Sequence, residues 1–274
     1  MAELLGISSG IVGLVVPALH GARLLLTDIQ KIIDAPGAIK RLGEDVDSVR
    51  ANLALLQNIE ESAWASLGTV VVDHSKGTIT NCELACDTIR GDIQRWTKRS
   101  QGGKLSWQDR VTVGFFKEHH LEAACGQMQT YKMTLSSLVG TATLYSSMRN
   151  AHLTEEIRDR MTSQQTCTES AVKSSQTRVA VVQRTLAEVQ SSSSKSSTGE
   201  EDTDVETAVM QVEALIEVLK SSQTLLNELL LKSQTAEVEK VCAASAPTKM
   251  YFGKNDGGMQ TGINHGSITW NSGR

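Results

Sequence analysis

Aromatic side chains make up only 4% of this sequence, and proline occurs three times in 274 residues. Those shortages set aside a sandwich fold, which needs many turns and ring-packed faces. An excess of one charge is also missing: 27 basic against 31 acidic residues leave a formal net charge of −4. No broad positive field follows, so nucleic acid is not expected as a main partner. No Asn-x-Ser/Thr acceptor occurs, and Cys82, Cys86, Cys125, Cys167 and Cys242 are odd in number and scattered. That pattern does not describe a secreted disulfide scaffold, and a cytoplasmic, reducing setting is expected.

What the sequence does contain is 40% hydrophobic residues, rich in Ala, Leu and Val, together with abundant Ser and Thr. This is enough for one large or two modest cores and suits long helices. The expected fold is all-α: a multi-helix bundle of long amphipathic helices, with an apolar N-terminal helix and a C-terminal tail that gains cross-β order only on assembly.

Leu4 to Ala22 is a run of 19 residues without a formal charge, bounded by Glu3 and Arg23. At ~1.5 Å rise per residue it nearly matches the ~30 Å hydrocarbon core of a bilayer. The charge ahead of it is acidic, which argues against a secretory signal. Gly6, Gly10, Gly13, Pro17 and Gly21 follow at steps of four, three, four and four, a glycine-zipper spacing that gathers small residues on one face. In lipid such a face lets helices associate closely, and in water it is equally the mark of a helix tucked into a bundle. Insertion of one copy is marginal: nine Leu, Ile or Val residues contribute about −4 kcal/mol on an insertion scale, and the polar residues and glycines offset much of it.

Pro36 and Gly37 end this segment near Asp34. Ile39, Leu42, Val46, Val49, Leu53 and Leu56 then alternate at three and four, an amphipathic helix. Ile79, Cys82, Cys86, Ile89, Ile93 and Trp96 repeat the spacing before Gln101, Gly102 and Gly103. A long helix follows through Leu121, Ala124, Met128, Tyr131, Leu135, Leu138, Ala142, Tyr145 and Met148, with Gly114 and Gly126 as candidate kinks. Another runs from about Thr154 to Gln190 with Val172, Val179, Val182, Leu186 and Val189 on one side. Residues 191–202 have nothing apolar to bury and read as a mobile linker. A last helix covers about Asp204 to Ala243, with Val205, Val209, Val212, Leu215, Leu219, Leu226 and Leu229 as its stripe, and Pro247 closes it. The expected divisions are residues 1–34, an apolar membrane-targeting helix; 35–244, the bundle; and 245–274, a signalling tail.

No constellation points to an enzyme, a cofactor or a metal. Gly6-Ile7-Ser8-Ser9-Gly10 has the G-x-S-x-G form, but too few residues precede it for the required strand. His119 and His120 are adjacent, so on a helix they point about 100° apart rather than toward one metal. Cys82 and Cys86 fall on the apolar stripe and read as core packing. Arg95, Lys98, Arg99, Lys104 and Arg110 around Trp96 and Trp107 suit an anionic membrane surface or an ordinary charged helix junction.

In the tail, Asp256, Gly258, Gln260, Gly262, Asn264 and Gly266 recur at every second residue, with Gly257, Met259, Thr261, Ile263 and His265 between them. Period two is that of a strand. One such strand has no neighbour to bond and stays unstable, but many copies in register form amide ladders from Gln260 and Asn264 at a ~4.8 Å repeat. Met259 and Ile263 then make a dry seam.

These residues resemble the pseudo-palindromic amyloid motif of filamentous fungi, Asn-x-Gly-x-Gln-x-Gly-x-Asn-x-Gly, which is related to the RHIM of animal necroptosis kinases. The match runs from Gly258 to Gly266 and departs at Asp256, where stacked carboxylates would repel. With the apolar N-terminus and the helical middle, the chain resembles the fungal HeLo-like-domain cell-death proteins. The resemblance implies the following mechanism. A NOD-like receptor carrying a matching motif templates the tail into fibrils, and the clustered chains, cytoplasmic at rest, associate through their N-terminal helices and permeabilise the plasma membrane. An adaptor that assembles through its tail without touching a membrane is the alternative.

Overall fold

The computed structural model describes residues 2–32, 35–97, 118–150, 155–193 and 202–245. Among them there are seven helices and no strand, so the all-α expectation holds. The helices are α1 (Ala2–Gln30), α2 (Gly37–Leu56), α3 (Glu61–Leu67), α4 (Thr69–Trp96), α5 (Glu118–Asn150), α6 (Glu155–Ser193) and α7 (Asp202–Ser245). The chain divides into two compact units, Met1–Ala236 and Glu237–Arg274, and the described part of the second is the end of α7.

α1 is the centre of the bundle. Ile11, Val15, Ala18, Leu19, Ala22, Leu25 and Ile29 are buried in the main core, and α2, α3 and α4 pack around them. α2 buries all six residues of its three-four stripe, and α4 buries Ile79, Cys82, Cys86, Ile89 and Ile93 as its spacing predicts. α5 packs on α2, α3 and α4 through Leu121, Met128, Tyr131, Leu135 and Leu138. Gly126 lies inside this unbroken helix, whereas Gly114 and Trp107 are outside the described residues.

The sequence reading missed α3. It is two turns long, too short for periodicity to register, yet Ala63, Trp64 and Leu67 are all buried. Gly68 separates it from α4 with φ +84° and ψ 163°, a conformation open to glycine and strained for other residues, so one residue joins two helices. α4 accordingly begins about ten residues before the predicted stripe, burying Val71, Val72, Ser75 and Thr78 on the way.

α6 and α7 are held differently. The predicted α6 stripe holds at Val172, but Val179, Val182 and Leu186 are only half-buried; the buried positions are Ile157, Met161, Thr168, Ala171, Val172 and Ser175. Polar contacts carry much of the α5–α6 seam: Gln164 Nε2 donates to Ser137 O at 3.0 Å, and Arg178 Nη1 to Gly126 O at 3.1 Å. Gly140 admits Gln164, because a Cβ there would collide with its amide. On α7, Leu225 and Leu229 reach the main core and Leu226 packs with Ala171 and Val172. Leu215 is half-buried and Ile216 takes the buried place beside it. Of the expected linker, Ser191–Ser193 is still helical and Asp202 already opens α7; residues 194–201 and Pro247 lie outside the described residues.

Truncating Trp64 to alanine empties the largest fully buried site in the bundle. The expected loss is about 3–5 kcal/mol, read as a lower urea midpoint at unchanged m-value.

Candidate functional site

Helix α1 combines bilayer length with a buried seat. Gly10–Gln30 is a stretch of 21 residues with mean hydropathy 1.6, long and apolar enough to cross a membrane. Its seat is built by close approaches on two sides. At Gly21 a Cβ would stand 3.7 Å from both Cys86 Cβ and Asp87 Oδ1 of α4. At Gly43 of α2 it would stand 3.1 Å from Ile29 Cγ2 of α1.

The small-residue stripe is not the core face. At ~100° per residue, Gly10, Gly13, Pro17 and Gly21 lie about a third of a turn from the face carrying Ile11, Val15 and Leu25. Gly21 is buried and Gly10 half-buried beside Lys76, but Gly13 is exposed, with nothing within 4 Å of where its Cβ would be. The stripe therefore runs from the α4 seam out to solvent, with Val16, 48% exposed, close by. Pro17 lacks the N–H that would bond Gly13 O in a regular helix. Gly6 is in the helix, but its surroundings are outside the described residues.

Among the described residues, α1 makes side-chain hydrogen bonds to another helix through Asp28. Its Oδ2 accepts from Arg90 Nε at 2.9 Å and from Gln94 Nε2 at 2.8 Å, both on α4. Its Oδ1 accepts from Lys31 Nζ at 2.8 Å. The Asp28 side chain is only 12% exposed. Burial pushes its carboxyl upward, but hydrogen bonds from Lys31, Gln94 and Arg90 outweigh that and hold it at about 2, below the ordinary 3.8. Neither Asp28 nor Gly43 was singled out from sequence. The available signal was a lone acid near the C-terminal end of an apolar helix, where the macrodipole disfavours it unless something pairs with it.

The other sequence candidates fall as follows. Cys82 and Cys86 are fully buried in the core, and the Cys82 thiol is pushed well up, first by its hydrogen bond with Cys86 and then by burial. Both behave as small apolar groups. Gly6–Gly10 lies inside α1 with no strand before it, so the geometry of a nucleophile elbow is absent there. The side chains of His119, His120 and Trp96 lie outside the described residues. So do the tail residues Asp256, Gly258, Met259, Gln260, Thr261, Gly262, Ile263, Asn264 and Gly266. A groove of about 830 Å³ between α5 and α6 is lined by Lys132, Ser137, Asp159, Thr166 and Cys167, among others.

The family model for the N-terminal domain of pigment biosynthesis cluster protein PigL matches residues 2–212, which takes in α1 to α6 and the start of α7. It describes a fungal domain related to HeLo-like domains. No curated protein and no solved structure matches the chain.

Two outcomes follow from this seat. Gly13→Leu should leave stability unchanged or raise it by roughly 0.5–1 kcal/mol through helix propensity, whereas Gly21→Leu should cost about 1–3 kcal/mol by overpacking; thermal melts compare them. Because the folded value of Asp28 lies below its unfolded one, its stabilisation of roughly 2 kcal/mol is complete above pH 3.8 and is lost as pH falls through about 2. The stability gap between wild type and Asp28→Asn, measured by urea unfolding, should be present at pH 7 and close toward pH 2.

Proposed function

The chain belongs to the family of the PigL N-terminal domain, and we propose, from its apolar glycine-patterned N-terminus and the period-two pattern of its tail, that it is a cell-death executor switched on by amyloid templating of that tail. The finer resemblance is to HELLP, a fungal HeLo-like-domain protein, in its glycine-patterned N-terminus, helical middle and C-terminal motif. The carrying observation is α1: a helix of bilayer length and hydropathy, seated at the centre of the bundle.

Energetics set the conditions for its release. Pulling Ile11, Val15, Leu19, Leu25 and Ile29 into water costs on the order of 10 kcal/mol, at roughly 1.5–3 kcal/mol per side chain. That cost forbids free exposure in the cytoplasm. Lipid removes it, because the acyl region is as apolar as the core being left. Release is thus confined to a membrane surface, and association there is favoured once chains are concentrated. Templating of residues 256–266 by a NOD-like receptor with a matching motif supplies that concentration. Gly13, open at rest, offers the first contact between neighbouring helices, and Gly6, Gly10 and Gly21 extend it once α1 is free.

The adaptor reading is favoured by the same core burial, since a helix that carries the bundle core also serves a protein that never opens. A covalent lock separates the two. In a Gly21→Cys variant the new Cβ falls 3.7 Å from Cys86 Cβ, within the span of a disulfide. Oxidised, this variant should still form fibres when seeded but leak no dye from vesicles, and reduction should restore leakage. Equal leakage in both redox states would contradict release of α1. In the unlocked chain, Gln260→Pro should abolish seeded fibre growth and leakage together, because proline removes a ladder donor.

A further inference from the structure

Apolar contacts hold α1 in the bundle without choosing between bundle and bilayer, because lipid replaces them with contacts of the same kind. The Asp28 carboxylate is different. Lys31 travels with it on the same chain segment, but Arg90 and Gln94 stay behind on α4, and the acyl region offers no donor in their place. Asp28 also sits in the last turn of α1, the end at which the helix dipole repels a carboxylate. Besides Lys31 it is held there by two donors from α4, Arg90 Nε at 2.9 Å and Gln94 Nε2 at 2.8 Å, and these two are its tie to the bundle.

We propose that Arg90 and Gln94 form a latch on Asp28 that sets the threshold at which α1 leaves the bundle. This deepens the executor reading and rests on it. The two residues are positioning residues: they hold α1 at its C-terminal end and take no part in contact with lipid. Their loss leaves α1 unaltered in sequence, so its own tendency to insert is unchanged and only the tie to the bundle weakens. Each charge-assisted hydrogen bond removed shifts the seated-to-released ratio by roughly tenfold.

The test uses the full-length chain and dye-filled vesicles of phosphatidylcholine with phosphatidylserine, with and without fibril seed. Arg90→Ala and Gln94→Ala should each leak without seed, Arg90→Ala roughly tenfold faster than wild type or more. Arg90→Lys should return leakage toward wild type. Arg50→Ala, which removes a cation bonded within α2 to Asp47, should behave as wild type. A merely structural role would lower the melting temperature of Arg90→Ala without raising unseeded leakage, and that result overturns the latch. Should Arg90→Ala fail to fold, the neutral Gln94→Ala variant carries the same comparison. Seeded wild type serves to separate the levels: if it leaks while both latch variants stay silent unseeded, the latch alone is wrong. If seeded wild type does not leak, the executor reading fails and the latch with it.

Discussion

A helical stretch of 21 largely apolar residues has to be surrounded by something other than water, and the rest of this molecule is arranged to satisfy that constraint. α2, α3 and α4 wrap the face bearing Ile11, Val15, Leu19, Leu25 and Ile29. Glycine at position 21 brings α4 close, and glycine at position 43 brings α2 close. The flank bearing Gly13 and Val16 is left uncovered. In the proposed mechanism one helix is thereby fitted to two apolar environments, and the polar contacts of Asp28 distinguish between them.

The two specialised segments sit at opposite ends of the sequence, and each is incomplete by itself. In the proposed switch the tail pattern gains order only from other strands, since one copy has no partner for its ladder. α1 gains a new environment only where lipid is present. Assembly of the first would raise the local concentration of the second, so the proposed switch needs no direct contact between them. The α5–α6 seam fits a bundle whose parts are unequally held. It relies on Gln164, Arg178 and small satellite clusters, whereas α1 to α5 share one large core.

Much of the bundle was legible in the sequence, because a long helix with one buried face repeats its apolar residues many times. The stripes of α2, α4 and α5 emerged that way and are buried as expected, apart from Tyr145 and Met148, which are half-buried at the end of α5, and Trp96, whose side chain lies outside the described residues. α3 did not: seven residues hold too few repeats, and the Gly68 turn that isolates it reads as an ordinary glycine. The far half of α6 misled for the opposite reason. Val179, Val182 and Leu186 have helical spacing but meet little of the bundle, so periodicity marked a face with no large partner. The N-terminal helix was found by its lack of charge and its glycine spacing. Its seat at Gly43 and its tie from Asp28 to Arg90 and Gln94 depend on residues more than a dozen positions away, which spacing along one helix does not report.

Hydrogen exchange along α1, α2 and α4 reads the central claim directly, with the full-length chain held on vesicles before and after fibril seed is added. At rest the amides of Ile11–Ile29 should exchange as slowly as those of α2 and α5, as members of one core. After seeding in the presence of lipid, α1 should stay protected while α2 and α4, left without the helix that fills their core, exchange faster; without lipid, seeding should leave all three slow. Exchange of α2 and α4 that is unchanged by seed in the presence of vesicles would contradict the account.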